Sequence, residues 1–323
     1  MNRRRFLTAT ATTLAAGAFA GLAGAAAPAS ASAREAAVFH GARRYLSTRH
    51  GRIAYVERGR GAAALFLHGF PLNGYQWRGA IERLAPQRRC IAPDFLGLGH
   101  TEVAPGQSVA PDAQVDMLLA LLDGLKVDRA DVIASDSGGA VAQLLLARHP
   151  ERVRSLLLAN CDTEIECPPP AMLPVIALAR EGKFVDQWLA PWLADKALAR
   201  SKDGIGGMCY LDPNQPTDEA LDAYFSPMVV SAASKQRVHD YATALDHNVL
   251  AGVAAGLAGS RAPVRVVWGM GDTIFSPAGL AHLQGAFGNL HGVRRLEGSK
   301  LFWPEERPDV VAEEAQRLWA AAE

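Results

Sequence analysis

The most constraining stretch of the chain is residues 131–150, DVIASDSGGAVAQLLLARHP, where a short apolar run passes through Ser-Asp-Ser-Gly-Gly directly into residues with helical spacing. With no spacer, strand and helix must meet in a turn tight enough to hold one side chain on strained backbone between small neighbours. Two registers meet that demand. With Asp136 at the turn, the neighbours at −2, +2 and +3 are Ala134, Gly138 and Gly139; with Ser137 they are Ser135, Gly139 and Ala140. Ser135 fails, because Ile133 would stand at its −2 position. Read for structure alone, Asp136 is a helix cap flanked by turn serines.

The rest of the chain sets that turn in a repeating frame. After a start near 43–57, strand-like runs at 63–68, 89–94, 131–134 and 153–160 alternate with helical spacing at 77–84, 113–125 and 139–148. Such alternation predicts an α/β fold whose mostly parallel sheet is covered by helices on both faces. From 168 to about 257 the pattern changes to consecutive helices with Pro and Gly breaks, and strand-type runs return at 264–268 and 293–296. An amphipathic helix over 308–319 closes the chain. The expected organisation is a core over 34–165 and 258–323, with a helical cap inserted over 166–257.

Residues 1–33 carry Arg3, Arg4 and Arg5, an uncharged Ala/Gly/Thr-rich stretch and a small-residue ending, Ala31-Ser32-Ala33. This is the pattern of a cleaved twin-arginine export signal, too weakly apolar to span a bilayer, and it predicts an exported protein with no stable membrane association afterwards. The 33 basic residues balance 33 acidic ones, and removing three arginines leaves 30 against 33. That balance gives no basic footprint for nucleic acid, while an inserted region rich in Leu, Ala, Met and Trp points to a mostly apolar small-molecule substrate. No phosphate loop, dinucleotide fingerprint or metal-ligand cluster is visible, so neither cofactor nor metal is expected. The oligomeric state is left open. Four cysteines are too few for a disulfide scaffold; Cys90 reads as core, and Cys161, Cys167 and Cys209 leave room for one bridge.

Three motifs fall at the ends of successive strands: His68-Gly69-Phe70-Pro71, Asp94-Phe95-Leu96-Gly97-Leu98-Gly99, and the 131–150 turn. Together they resemble the α/β-hydrolase fold, specifically its haloalkane dehalogenase and epoxide hydrolase branch, in which Asp precedes x-Gly-Gly. The resemblance implies Asp136 as nucleophile, the backbone N–H groups of Phe70 and Ser137 as oxyanion donors, and Asp272 in Gly269-Met270-Gly271-Asp272 as the acid, with Asp162 as the alternative. His68 and Asp94 read as structural. Trp77, Asn160, Tyr224 and Leu301 are candidates for the substrate pocket.

One position departs from the family. The family histidine stands before an aromatic, with an acid four and a Pro seven residues later; Phe302, Glu305 and Pro308 fit that frame, and its histidine slot holds Leu301. A leucine accepts no proton, so the ester that an Asp nucleophile forms loses its water-activating base. His100, His239 and His247 are candidate substitutes, and a water held by Asp272, Asp162 or Asn160 is another route. Asp136 could instead be the general base of a lyase, isomerase or cyclase, or the fold could have become a binding protein. With Ser137 where dehalogenases hold the halide with Trp, halide release is disfavoured. Tyr210, Tyr224 and Tyr241, all in the inserted region, are candidate acids for opening an epoxide.

Overall fold

The computed structural model describes residues 30–322. Most of the expected export signal lies outside them. Its last residues, Ala31 to Ala33, form the first turn of the helix Ala31–Gly41, capped by the Ser30 side chain. Ser30 also donates to Glu219 of the inserted region, and Glu35 pairs with Arg78 of the core.

Among the described residues nine strands build one mixed sheet: β1 (Arg43–Thr48), β2 (Gly51–Arg58), β3 (Ala63–Leu67), β4 (Arg89–Pro93), β5 (Glu102–Val103), β6 (Ala130–Asp136), β7 (Val153–Cys161), β8 (Val264–Gly269) and β9 (Leu290–Leu296). Their order is β1-β2-β4-β3-β6-β7-β8-β9, with β5 on the edge of β2. β2 pairs antiparallel with β1, β4 and β5, and every pairing from β4 through β3 to β9 is parallel. β3 and β6 are buried along their whole length because helices cover both faces, which is why they read as unbroken apolar runs.

The helices Arg78–Leu84 and Pro308–Ala322 pack together on one face, and Pro111–Gly124 and Ser137–Arg148 on the other. In the last helix Val310, Val311, Ala315, Leu318 and Trp319 are buried, an apolar stripe at helical spacing. All parallel strands point their C-terminal ends at one edge, where open α/β sheets bind ligands.

Between β7 and β8 runs a helical insertion containing Leu173–Arg180, Asp218–Val229, Ala232–Ala244 and shorter turns. Its final helix, Ala254–Gly259, behaves differently from the expected cap. A Cβ placed on Gly256 would lie 2.7 Å from the Ala147 carbonyl oxygen, so this helix is seated on Ser137–Arg148 of the core. The change from cap to core therefore comes before residue 257. All four cysteines are free thiols, and the bridge the sequence left room for does not form.

Candidate active site

β6 ends on Asp136 and the next residue opens the helix Ser137–Arg148, so the chain turns within a single peptide. Asp136 carries φ +55°, ψ −137°. Backbone of this kind costs roughly 1–3 kcal/mol and persists only where its surroundings enforce it. A Cβ on Gly138 would fall 2.4 Å from the His68 carbonyl oxygen, and one on Gly139 would fall 2.2 Å from Cys161 Cβ. A Cβ on Gly69 would meet Asp136 Cβ at 2.5 Å. The close approaches thus fall at +2 and +3 from Asp136, and the strained residue is Asp136 rather than Ser137.

The carboxylate is held by one oxygen. Asp136 Oδ1 accepts the backbone N–H of Phe70 at 2.9 Å and that of Ser137 at 2.5 Å. Burial pushes the carboxyl above the usual range, and these two N–H groups pull it back. The Ser137 hydroxyl adds a smaller pull in the same direction. Asp136 opens onto an apolar cavity of about 100 Å³ whose walls include Phe70, Phe184, Trp188, Trp192, Ile205, Met208, Cys209 and Leu301. The Ser137 hydroxyl is not free in the same way: it is hydrogen-bonded to the Tyr241 hydroxyl at 3.1 Å.

Asp272 sits just past the end of β8. Its Oδ2 accepts from Asn160 Nδ2 at 2.8 Å and its Oδ1 from the Ile274 N–H at 2.8 Å. Burial, with a smaller contribution from the charge of Asp136, raises its carboxyl to about 6. Asn160 also takes the Gly269 N–H and the Trp303 indole N–H and donates to the Gly269 carbonyl. It is a girder between β7 and β8 rather than a wall of the pocket. Leu301 does line the cavity, 2% exposed, beside Phe302.

The three substitute histidines are elsewhere. His100 faces His40 and Arg43 in a cleft separate from the Asp136 cavity, and its backbone N–H is taken by Asp94. His239 Nε2 accepts the Val185 N–H at 3.2 Å inside the cap, and His247 is exposed. None lines the cavity, because each is used in, or projects from, a different part of the fold. His68 bridges the Gly69 carbonyl and the Phe95 N–H, fixing the loop that presents Phe70.

Two expected pocket residues are also placed elsewhere. Trp77 is fully buried, packed on Phe66 with ring centroids 5.8 Å apart, and belongs to the core beneath the sheet. Tyr224 and Tyr210 donate to Glu305 Oε2 at 2.8 and 2.6 Å, while Arg78 pairs with Oε1 at 2.7 Å. These tyrosines anchor the cap to a buried carboxylate and leave no hydroxyl for the cavity. Asp162, 6% exposed, follows β7 and is absent from the cavity wall. Sequence reasoning missed the cap's contribution. Phe184, Trp188 and Trp192 recur every four residues, an aromatic stripe whose rings touch in succession. That spacing was the signal available.

An acidic residue on a strained strand-to-helix turn, with two N–H donors on one of its oxygens and an apolar cavity beside it, stands at the carboxyl edge of a mixed sheet. Residues 64–302 match the α/β hydrolase fold family, and the chain belongs to it. Haloalkane dehalogenase 2 of Mycobacterium tuberculosis is 25% identical over 273 residues, 83% of this chain and 92% of that protein. Among solved structures, haloalkane dehalogenase DbeA from Bradyrhizobium elkani has a TM-score of 0.70 and 26% identity, covering 86% of this chain and 99% of its own. The epoxide hydrolase CorEH, without ligand, has a TM-score of 0.70 and 25% identity, covering 87% and 99%. The protein is a hydrolase of the α/β-hydrolase fold, of the dehalogenase and epoxide hydrolase type.

Proposed function

We propose that Asp136 is the nucleophile of an exported enzyme acting on small, apolar alkyl substrates. The observation that carries this reading is that both N–H groups converge on Oδ1 of a carboxylate that lines the apolar cavity from a strained strand-to-helix turn. Oδ2 attacks a saturated carbon, and the carbon–leaving-group bond breaks with its electron pair going to the leaving group. Water then adds to the carbonyl carbon of the aspartyl ester. The charge develops on Oδ1, where Phe70 and Ser137 already donate.

The leaving group that best fits is a halide. An epoxide oxygen needs a proton as it leaves, and the three cap tyrosines are bound to Glu305 or Ser137. A halide needs none, and the cavity offers it the indoles of Trp188 and Trp192, which position 137 alone did not foretell. The curated relative named a haloalkane dehalogenase points the same way. With Leu301 in the family's histidine slot, hydrolysis of the ester is the slow step, since losing a general base costs about 10²- to 10⁴-fold.

Intact-mass spectrometry after mixing with primary alkyl bromides and with terminal epoxides tests this. Bromide release with an alkyl adduct mapping to Asp136 is expected. Product formed at rates unchanged by Asp136→Asn would overturn it. A second reading is favoured by the raised proton affinity of Asp136 and by Leu301: Asp136 as general base of a lyase or isomerase reaction. Turnover without adduct, lost on Asp136→Asn, would select that reading. For export, replacing Arg3, Arg4 and Arg5 by Lys should retain the protein in the cytoplasm.

A further inference from the structure

We propose that Tyr241 is a positioning residue for both oxyanion donors: from the cap it holds the two residues whose N–H groups meet Asp136, and so ties the reactivity of that carboxylate to the seating of the cap. In this role, which rests on the nucleophile reading above, Tyr241 touches no substrate.

Tyr241 lies on the cap helix Ala232–Ala244 and is 1% exposed. It makes two contacts at the reactive turn. Its ring stacks on that of Phe70, with centroids 5.6 Å apart and planes 4° from parallel, and its hydroxyl is hydrogen-bonded to the Ser137 hydroxyl at 3.1 Å. Phe70 and Ser137 come from different parts of the core, one just after β3 and the other just after β6, and their N–H groups converge on Asp136 Oδ1. Their backbones meet at Asp136 and their side chains meet at Tyr241. Phe70 lines the cavity, whereas Tyr241 stands behind it and is absent from the wall.

The core is shaped to receive this helix. The loop Asp94-Phe95-Leu96-Gly97-Leu98-Gly99 sends no side chain into the cavity wall. A Cβ on its Gly97, whose φ is +90°, would lie 3.1 Å from the Arg237 carbonyl oxygen and 3.5 Å from Tyr241 Cβ. A residue without a side chain therefore lets the helix that carries Tyr241 lie close against the core. The same loop also steadies the Phe70 side. The Phe95 N–H donates to His68 Nε2, and His68 Nδ1 bonds the Gly69 carbonyl, next to Phe70.

Position decides what such donors are worth. Losing one costs about 10²- to 10³-fold in rate, and a displacement of about 1 Å can cost 10²-fold. A residue that sets two donors at once can therefore matter to the chemistry without reaching the reacting atoms.

Amide hydrogen exchange read by NMR, beside rapid-quench mass spectrometry with a primary alkyl bromide, tests this on the full chain. Tyr241→Leu removes both contacts. The Phe70 and Ser137 amides should then exchange about 10-fold faster while those of β3 and β7 keep their wild-type rates. Ester formation should slow by about 10²-fold at an unchanged half-saturating bromide concentration, because Tyr241 touches no substrate. Tyr241→Phe keeps the ring stack and should restore the Phe70 amide. Its remaining deficit, about 3- to 10-fold in ester formation, should be reproduced by Ser137→Ala and not enlarged in the double variant, since each change removes the same hydrogen bond.

Wild-type exchange at both amides in Tyr241→Leu would overturn the proposal. Faster exchange spread through the sheet would do the same, by making Tyr241 plain packing. So would a defect confined to terminal epoxides, with alkyl bromides converted normally, which would make Tyr241 an acid. Faster exchange at the two amides, in a protein whose wild type forms neither adduct nor bromide, would instead bring down the nucleophile reading and uphold the positioning of the donors.

Discussion

The end of β6 and the ends of β8 and β9 treat the same chemistry in opposite ways. At β6 every neighbour conforms: Gly69, Gly138 and Gly139 leave room for Asp136, and two N–H groups converge on its Oδ1. At the other site Asp272 is tightly held by Asn160 and the Ile274 N–H, and the apolar Leu301 lines the cavity onto which Asp136 opens. The contrast separates two demands that an ester-forming hydrolase normally meets together. Attack needs a positioned carboxylate and a dry cavity, while release of the product needs a proton acceptor. On the function proposed above, this chain has the first without the usual form of the second.

The sharpest way to break the comparison is at β6. Asp136→Asn should lower turnover by at least about 10³-fold and abolish the adduct, because an amide is not a nucleophile at this carbon. Ser137→Ala should do much less, since the donor that matters at that position is its backbone N–H. Steady-state rates beside circular dichroism would separate lost chemistry from lost fold.

The opposite site should respond to repair. Leu301→His puts an imidazole in the wall of the cavity onto which Asp136 opens and is expected to shorten the ester lifetime by about 10²-fold or more. Decay of the adduct after removal of excess substrate reads this directly. An unchanged lifetime would mean that the space beside Leu301 does not admit the reacting water.

A stability test sharpens the β6 side. Gly139→Ala would force a methyl into Cys161 and should cost about 1–3 kcal/mol by denaturant unfolding. Gly285→Ala, at a helix position where an added Cβ meets nothing within 4 Å, should stay within roughly 0.5 kcal/mol of the wild type.

These asymmetries also mark how far the sequence could be read. The core was legible because it depends on local pattern: apolar runs, helical spacing and the obligatory small residues around one turn. Asp272 and Leu301 could be placed because they follow a strand or sit in a motif frame. The cap could not be read the same way. Tyr224 looked like a pocket residue, but a buried carboxylate 81 positions away, Glu305, claims its hydroxyl. His100 and His239 looked available, but their surroundings lie in loops and helices whose docking no local pattern encodes. Trp188 and Trp192 were written in plain helical spacing, and only the docking of the cap told which face they turn to the cavity.

The remaining expected effect concerns Asp272. The Asp272 carboxyl is raised from its ordinary 3.8 to about 6, chiefly by burial. Between those values the folded protein binds a proton that the unfolded chain has lost, so stability falls as pH rises through this window and levels off above it. A displacement of about two units corresponds to roughly 3 kcal/mol at most. Asp272→Asn, which keeps an oxygen to accept the Ile274 N–H, should flatten the pH dependence of the unfolding midpoint between about pH 4 and pH 6. If an imidazole still stood at position 301, its positive charge would lower this carboxyl, and the same window would be missing. The Leu301→His protein should therefore lose the fall in stability that the wild type shows, while gaining the faster ester hydrolysis. Seeing both changes in one variant would establish that Asp272 has kept the place of a triad acid after its partner was replaced; seeing only the faster hydrolysis would show that the imidazole works without it.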